Sequence, residues 1–370
     1  SCITTLHTSN KQRSRSIMVL KNYRTLAQNQ TWDGTAQTVI TQLPRDFLAQ
    51  RYIIDMNSPG VSSIGGVSVL VVDGLLRCIT NIKIVAVGEG SSRTIFEVSG
   101  RDLYHMNTFD YGAPVGGLLI PTTVVGAGTR LHMGFCIDFR CNKLDPDDYS
   151  VALPTYLLST LQLEITYATP TALNYGTNFP TAGAAGFPTD VTTTITCVEG
   201  IPEAGEDFSS NPLMTVLSKQ LTGDASTGTL ESFDTFFQVG ALIRRDFVCI
   251  ETAAGVRSDL EITNFQVNSG TIPLMSNIIF DANKQKDIQN YRIATPVGTQ
   301  EGSTAGASVV PMNAGLFSSV GYTMVDFNNN RMPFINTAGG LRIGGLSTVG
   351  YNTGDLVFQA NKVNASSIIR

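Results

Sequence analysis

The sequence has little charge. Only 15% of its 370 residues are Asp, Glu, Lys or Arg, against roughly 25% in a typical soluble domain. The 25 basic and 30 acidic residues leave a formal net charge of −5, whereas proteins that coat nucleic acid carry a basic field. We therefore expect no sequence-specific nucleic-acid binding. Low charge favours either a β-rich protein covered by neighbouring molecules or an ordinary β protein with an uncharged polar surface.

Long apolar segments are also missing. No stretch approaches the roughly 18 residues of a membrane-spanning helix, and residues 1–17 lack the apolar region of a signal peptide. The one basic cluster is at this end, and it consists of Lys11, Arg13, Arg15, Lys21 and Arg24. It favours a solvated N-terminal arm, 1–17, over a segment that contacts an acidic membrane surface or nucleic acid.

Groups for catalysis are scarce. Histidine occurs only at His7, His105 and His132, which are too dispersed to supply the inward-facing cluster that a metal-dependent jelly-roll enzyme needs. The sequence contains neither a GxSxG nucleophile elbow nor a GxxxxGK[ST] phosphate loop. We therefore expect a protein that is not an enzyme and that has no cofactor, with Ca²⁺ as the single candidate considered below.

Six cysteines are scattered along the chain without a CxxC pair: Cys2, Cys78, Cys136, Cys141, Cys197 and Cys249. A chain of this length folds without disulfides. We predict mostly buried free thiols in a reducing compartment, although the even count leaves bridges open.

One acidic cluster is a candidate metal site. Asp145, Asp147 and Asp148 lie close together in a predicted loop, and carboxylates at such spacing can share one Ca²⁺, which takes six to eight oxygen ligands. The segment lacks the Gly and the terminal Glu of an EF-hand, and Pro146 indicates a turn. A solvated acidic loop is the favoured interpretation, with a Ca²⁺ site as the alternative.

Strand patterns dominate the sequence. From Leu131 to Arg140 and from Leu161 to Tyr167, apolar and polar residues alternate, so that one face of each strand meets a core and the other meets solvent or a neighbour. Further strands are predicted, with turn residues between them, at 38–43, 67–72, 82–87, 192–198, 260–267 and 355–359.

Three short helices are predicted. The first, from Ile17 to Ala27, places Ile17, Leu20, Arg24 and Ala27 on one stripe. Ser99 and Asp102 form a capping box, which predicts a helix from Gly100 to about Asn107. Residues 281–291 predict a similar helix, capped by Asp281 or Asn283.

Five short words recur in the same order in both halves of the chain, which indicates an internal duplication. Arg-Asp-Phe at 45–47 recurs at 245–247, Ile-Thr-Asn at 79–81 recurs at 262–264, and Ile-Phe-acid at 95–97 recurs at 279–281. Ile-Asp-Phe at 137–139 resembles Val-Asp-Phe at 325–327, and Leu-Ser-Thr at 158–160 recurs at 346–348. Any single match is worthless, but the common order favours duplication over coincidence.

The duplication predicts an all-β protein built from two tandem eight-stranded jelly rolls with short helices in the loops. Jelly roll 1 is predicted over 18–170 and jelly roll 2 over 211–370. Residues 171–210, rich in Pro and Gly, are predicted to be an extended connection with one strand.

The chain resembles the double jelly-roll major capsid proteins of icosahedral viruses, the lineage of tailless internal-membrane phages and adenovirus. The residues that carry the resemblance are the two Arg-Asp-Phe words, the two Ile-Thr-Asn words, and Ser-Gly-Arg-Asp-Leu at 99–103 with its counterpart after Phe280. The family places a helix between the sixth and seventh strands of each roll and an amphipathic N-terminal segment at the shell base, to which 17–27 would correspond.

The resemblance implies a homotrimer of hexagonal outline that tiles an icosahedral shell together with penton or minor capsid proteins. It also implies a virion location after synthesis in the host cytoplasm, and contact of the N-terminal arm with an internal membrane. One alternative is a receptor-binding or carbohydrate-binding β module such as a spike or lectin. Lectin sites present surface aromatics, and the chain has one tryptophan, Trp32. The other alternative is an enzyme on a jelly-roll scaffold, which the scattered histidines do not support.

Overall fold

Antiparallel strands make up most of the protein in the computed structural model. The structure describes residues 19–28, 30–61, 68–70, 73–88, 90–112, 123–124, 129–140, 143, 145–171, 176–177, 191–203, 208, 213–221, 231–236, 242–250, 257, 264–269, 272–291, 320–326, 335–336, 341–347 and 361–369. Among these residues, no helix has the length and apolar character needed to cross a membrane.

The described residues of the first half form twelve strands and two α-helices. In chain order they are β1 (Val19–Ala27), β2 (Gln37–Gln42), β3 (Leu48–Val61), β4 (Ser68–Leu70), α1 (Gly74–Cys78), β5 (Ile79–Gly88), β6 (Ser91–Val98), α2 (Gly100–Tyr111), β7 (Thr123–Val124), β8 (Thr129–Asp138), β9 (Leu153–Pro154), a 3-10 turn (Thr155–Leu157), β10 (Thr160–Tyr167), β11 (Gly176–Thr177) and β12 (Thr192–Pro202). Two four-stranded arrays face each other in this half, ordered β1-β12-β3-β8 and β2-β10-β5-β6, and β4, β7 and β11 form a small separate sheet.

The second half repeats this plan. Its elements are β13 (Leu213–Leu221), β14 (Glu231–Phe236), β15 (Leu242–Cys249), β16 (Asn264–Ser269), β17 (Ile272–Ile279), α3 (Phe280–Tyr291), β18 (Tyr322–Asp326), β19 (Ile335–Asn336), β20 (Leu341–Ser347) and β21 (Asn361–Ile369). They form the arrays β13-β21-β15-β18 and β14-β20-β16-β17. Each strand therefore has a counterpart in the first half with the same neighbours and the same place in chain order, and even the short β19 pairs with β15 as β9 pairs with β3.

The chain is thus a double jelly roll. Roll 1 denotes the eight strands β1, β2, β3, β5, β6, β8, β10 and β12, and roll 2 denotes β13 to β18, β20 and β21. The rolls are joined where β6 pairs in parallel with β13, through Phe96 with Val216 and Glu97 with Leu217. In each roll, the first array is the one that contains its first strand, β1-β12-β3-β8 in roll 1 and β13-β21-β15-β18 in roll 2, and the other is the second array. Because β6 pairs with β13, the second array of roll 1 and the first array of roll 2 form one continuous sheet.

Most predicted strands are confirmed. In β10, polar and apolar positions alternate between half-buried and buried over the whole strand, as period-two patterning requires. The strands predicted at 38–43, 67–72, 82–87 and 192–198 correspond to β2, β4, β5 and β12, and the one at 260–267 overlaps β16. The strand predicted at 355–359 lies outside the described residues.

The outward-facing positions of β8 were predicted to meet solvent or a neighbour. They are instead covered by another element of the same chain. Cys136 is 3% exposed, Asp138 9% and Arg140 3%, because α2 lies on this face. Asp138 and Arg140 form a buried ion pair there, with Nη2 and Oδ2 2.7 Å apart.

Two of the three predicted helices are confirmed. Ser99 caps α2, since its Oγ accepts the N–H of Asp102, and the helix ends at Gly112, which has a φ of 70°. Gly100 is needed at the first helical position because a Cβ there would lie 2.6 Å from the Cβ of Ile79. Residues 280–291 form α3, in which Asn283 is a buried interior residue and not the cap.

The helix predicted at 17–27 is wrong. Residues 19–27 form β1, which pairs with β12 from Val19–Pro202 to Ala27–Thr194. One apolar stripe over three turns is a weak signal, and the nine-residue register with a strand far along the chain outweighs it.

The connection predicted at 171–210 contains one strand, as expected, but this strand is a full member of a sheet. β12 lies between β1 and β3 and pairs with both. The predicted domain boundaries stay predictions, and the strand order favours a first roll that ends with β12, near residue 202. The arm 1–17 lies outside the described residues.

The repeated words are equivalent at one site and shifted at another. Ile82 pairs with Val98, which puts Asn81 opposite the residue before α2, and Asn264 pairs with Ile279, the residue before α3. However, Arg245 pairs with Asp326 as Arg51 pairs with Asp138. The counterpart of Arg245 is therefore Arg51, and the predicted equivalence of Asp46 with Asp246 is wrong by six residues.

The two longer helices share one polar anchor. Asn107 of α2 accepts the backbone N–H of Cys136 through its Oδ1 at 2.7 Å, and Asp287 of α3 accepts that of Met324 at 3.0 Å. Cys136 and Met324 occupy matching positions, two residues before Asp138 and Asp326. The anchor fixes α2 against β8 and α3 against β18 in the same way.

We predict that Ser99→Ala lowers the free energy of unfolding by about 1 kcal/mol, the usual loss when an N-cap hydroxyl is removed. Urea denaturation measures this loss. Ser92→Ala, at an exposed site in β6, is the control and is expected to change stability by less than about 0.5 kcal/mol. Equal effects of the two substitutions would contradict the assignment of Ser99 as the cap.

Candidate functional site at the contact between the rolls

The most elaborate side-chain arrangement in the described residues surrounds α2, where roll 1 meets roll 2. Every residue from Gly100 to Phe109 is buried. One side of the helix meets β8 of its own roll through Asn107, whose Nδ2 also donates to the carbonyl of Cys136 at 2.8 Å. The other side meets the outer face of the β13-β21-β15-β18 array of roll 2.

Aromatic rings fill the centre of this contact. Phe109 of α2 meets Phe247 edge-on at 5.1 Å and lies 5.7 Å from Tyr291. Tyr322 stacks on Phe247 at 4.8 Å and on His105 of α2 at 4.5 Å. Such rings bury large apolar areas and have preferred geometries, so they fix how α2 lies on the sheet.

A buried charge cluster adjoins the rings. The carboxylate of Asp73, just before α1, lies 3.1 Å from Nε2 of His105 and 2.7 Å from Nε of Arg257. Arg257 also donates to the carbonyl of Val320 at 2.8 Å. Asp73 has a left-handed backbone, with a φ of 58°, which Asp tolerates better than most residues. One carboxylate of roll 1 thereby holds an arginine from the second half of the chain.

A second ion pair lies at the other end of α2. The carboxylate of Asp110 accepts hydrogen bonds from both terminal nitrogens of Arg245 in a bidentate contact, with Nη2 and Oδ2 2.9 Å apart. Both side chains are nearly buried, at 5% and 8% exposed. In the first turn of α2, the hydroxyl of Tyr322 donates to Oδ1 of Asp102 at 3.0 Å.

Burial and neighbouring charges set the protonation of the cluster. Burial lowers the pKa of His105 to about 4, against the opposing effect of Asp73, so the ring is neutral at pH 7. Burial alone raises the pKa of Asp73, but Arg257 and His105 outweigh it and leave that pKa well below its usual range. The charged partners are therefore Asp73 and Arg257, and His105 joins them as a hydrogen-bonding group.

Asp246 differs from these carboxylates. It is fully buried, and neither oxygen has a hydrogen-bond partner among the residues that the structure describes. Burial raises its pKa well above the ordinary value, which favours a protonated side chain. It alternates with Arg245 and Phe247, which face α2, so it points to the opposite side of β15, into roll 2.

The arrangement is suited to holding two rolls in one orientation, because Asp73 and His105 are each 2% exposed and are enclosed between the rolls. Within the described ranges, no group of three His, Cys, Asp or Glu side chains is placed to hold a metal ion.

The predicted calcium ligands lie in a turn and do not converge. Oδ1 of Asp145 accepts the N–H of Asp147, and Oδ1 of Asp148 accepts the N–H and hydroxyl of Ser150. Asp147 instead forms an ion pair with Lys21 at 2.6 Å. These contacts fit the solvated loop, and Ca²⁺ binding stays an untested prediction.

The other predicted functional side chains are structural where they are described. His132 is half-buried and bonded to Asp55, and His7 lies outside the described residues. Cys78, Cys136, Cys197 and Cys249 are buried free thiols, whereas Cys2 and Cys141 are not described. Trp32 is 1% exposed and stacks on Tyr167 at 4.7 Å, so it cannot present a surface ring to a sugar.

Sequence reasoning missed Asp73, Asp110, Arg245 and Arg257 as a connected set. Asp73 and Arg257 are separated by 184 residues, and no local pattern links them. The word Arg-Asp-Phe at 245–247 was noticed as a repeat, but nothing in it indicates that its arginine pairs with Asp110.

We predict that Arg245→Ala destabilises the protein by about 3–5 kcal/mol, because Asp110 is left as an uncompensated buried charge. Chemical denaturation followed by intrinsic fluorescence measures the loss. The double variant Arg245→Leu with Asp110→Leu removes both charges and is expected to lose much less. A single variant no worse than the double variant would show that the pair is not needed.

We predict that stability falls as the pH is lowered from 6.5 to 4, and that His105 contributes to this loss. The folded-state pKa of about 4 lies below the unfolded value near 6.5, so the unfolded chain binds more protons in this window and gains stability relative to the native state. His105→Gln keeps a hydrogen-bonding group and is expected to flatten the profile by about 2–3 kcal/mol. Unfolding free energies at pH 7 and pH 4.5 test this, and an unchanged slope in the variant would contradict it.

Comparisons with known proteins give relatives in fold alone. No protein-family model matches the chain, and no curated protein matches its sequence. Among solved structures, the MCP of Sulfolobus Turreted Icosahedral Virus is 12% identical with a TM-score of 0.65, and the match covers 94% of this chain and 97% of that one.

Two further structures show the same likeness. VP54 of PBCV-1 is 10% identical with a TM-score of 0.59, covering 95% of this chain and 94% of that one. The major capsid protein P2 of bacteriophage PM2 is 10% identical with a TM-score of 0.54, covering 94% and 97%. The chain therefore has, over nearly its whole length, the double jelly-roll fold of these viral capsid proteins.

Proposed function

We propose that the protein is a viral major capsid protein whose trimers, of hexagonal outline, tile an icosahedral shell. The observation that carries the proposal is the pair of matched eight-stranded rolls, held in one orientation by the buried contact around α2. Three such chains supply six similar corners, which a hexagonal lattice requires, and closed symmetric rings are the default for homo-oligomers. The likeness in fold to capsid proteins over at least 94% of the chain supports this proposal.

The spike or lectin alternative has no support among the structural relatives. A buried Trp32 also removes the one tryptophan that a sugar-binding surface would use. A non-enzymatic role agrees with the enclosed polar cluster and with the capsid proteins that share the fold.

The finer parts of the proposal concern partners and location. We place the protein in the virion shell, beside penton or minor capsid proteins and above an internal membrane that the basic arm 1–17 contacts. The arm is the candidate because Lys11, Arg13 and Arg15 would favour an anionic lipid surface. Synthesis in the host cytoplasm belongs to the same proposal.

We predict that the purified protein is a trimer at micromolar concentration and physiological salt, with more than roughly 2,000 Å² buried between subunits, as in obligate contacts. Sedimentation velocity measures the mass, and electron microscopy of the same material is expected to show hexagonal particles or shells. A stable monomer, in the presence and absence of Ca²⁺, would exclude the capsid role.

A further inference from the structure

The outer face of the first array is covered in roll 2 and open in roll 1. In roll 2 this face contains Phe247 and Val216, which are 1% and 7% exposed beneath roll 1. The matching face of roll 1, here called the open face, consists of Tyr23, Arg51, Ile53 and Asp55. Tyr23 is 61% exposed and the other three are half-buried, although Tyr52 and Ile54 between them are fully buried in the core.

Strand register makes the two faces equivalent residue by residue. Val216 pairs with Ser366, which pairs with Arg245. Tyr23 pairs with Val198, which pairs with Arg51. Tyr23 therefore takes the place of Val216, whose strand β13 lies beside β6, while β1 has no second neighbour among the described strands.

Helix α3 has an exposed side that corresponds to the side of α2 that covers roll 2. The shared anchor aligns Asn107 with Asp287, and this alignment matches His105 with Gln285, Phe109 with Gln289, and Asp110 with Asn290. Gln285, Gln289 and Asn290 are all exposed. The contact side of α3 is thus unoccupied, and its residues are uncharged and polar.

Arg51 lacks the partner that its counterpart has. Arg245 binds Asp110 through its two terminal nitrogens, whereas within the described residues Arg51 makes no hydrogen bond or ion pair. Arg51 is half-buried, so its terminal nitrogens are available to an acceptor on another molecule.

We propose that the occupant of the open face is a second copy of this chain, whose α3 lies on it as α2 lies on roll 2. The side-chain oxygen of Asn290 then accepts from Arg51 of the neighbouring copy, and β17 of one copy runs beside β1 of the next. The inference rests on the proposed trimer and specifies its contact. Repeating the internal contact between copies makes all six contacts around the ring alike, which closes it.

The chemistry of the two contacts agrees with an internal contact that forms during folding and a contact between copies that forms afterwards. The internal contact contains stacked aromatic rings and buried charge pairs, which form once as the chain folds. The contact between copies pairs polar amides of α3 with a face that includes one guanidinium and one exposed tyrosine. A polar face of this kind is compatible with a soluble subunit before assembly, and Tyr and Arg are the residues enriched where protein interfaces form.

Cross-linking tests the contact directly. Full-length protein carrying Arg51→Cys and Asn290→Cys is treated with a short bis-maleimide and run on a denaturing gel, after sedimentation has established its oligomeric state. Covalent dimers and trimers, with no larger species, are expected. The matched control carries Arg93→Cys and Asn290→Cys, because Arg93 is an exposed arginine at the far end of β6. Both single variants and the unmodified protein report any reaction of native cysteines.

Charge reversal supplies a second readout that does not depend on thiols. Arg51→Glu is expected to convert most of the trimer to folded monomer, and adding Asn290→Arg to the same chain is expected to restore the trimer. Circular dichroism verifies folding of each variant. If the wild-type protein is a trimer but the Arg51→Cys, Asn290→Cys variant gives no more cross-links than the Arg93 control, or if Arg51→Glu leaves the trimer intact, the proposed contact is overturned and the capsid proposal stands. A wild-type monomer overturns both.

Discussion

The burial of α2 between two sheets is the constraint on which the rest of the structure depends. The helix is anchored to roll 1 through Asn107, yet its other side covers Phe247 and Tyr322 of roll 2. Separating the rolls would expose these rings and leave Asp73 and Asp110 without their arginines, and unpaired buried charges are among the costliest defects a fold can have. The two rolls therefore behave as one body with a fixed angle between them, which is the property that a lattice subunit requires.

Duplication explains why this constraint has a counterpart on the outside. The anchor at Asn107 recurs at Asp287, and the arrays have the same order in both halves. What differs is the side of each helix that points away from its own roll: Phe109 and Asp110 in α2, Gln289 and Asn290 in α3. The same helix position therefore carries apolar and charged side chains in α2, where the two rolls meet, and uncharged polar side chains in α3, where they are exposed. The difference agrees with a contact formed during folding and another formed between finished subunits.

Local patterns in the sequence were sufficient for much of the fold but not for its register. Alternation located β8 and β10, and the capping box at Ser99 and Asp102 located α2, because both signals depend on neighbouring residues alone. The stripe at 17–27 gave a helix where β1 forms, since the partner strand β12 lies about 170 residues away. The repeated words established the duplication, yet Arg45 was matched to Arg245 in place of Arg51, because strand pairing decides register and short words do not. The same limit hid the cluster around α2, whose members come together only after the two rolls have docked.

The low charge of the sequence has a more specific meaning once the structure is known. Asp73, Arg101, Asp102, Arg245 and Arg257 are all buried, so a share of an already small set of charges lies inside the molecule. The exterior is correspondingly poorer in charge than the composition suggests, and surface charge is what normally keeps copies of a soluble protein apart. Several of these buried charges fix the orientation of the rolls, whereas the exposed positions Gln285, Gln289 and Asn290 of α3 carry uncharged amides. Weak repulsion between copies, together with a fixed angle within each copy, would favour the repeated contacts of the proposed shell.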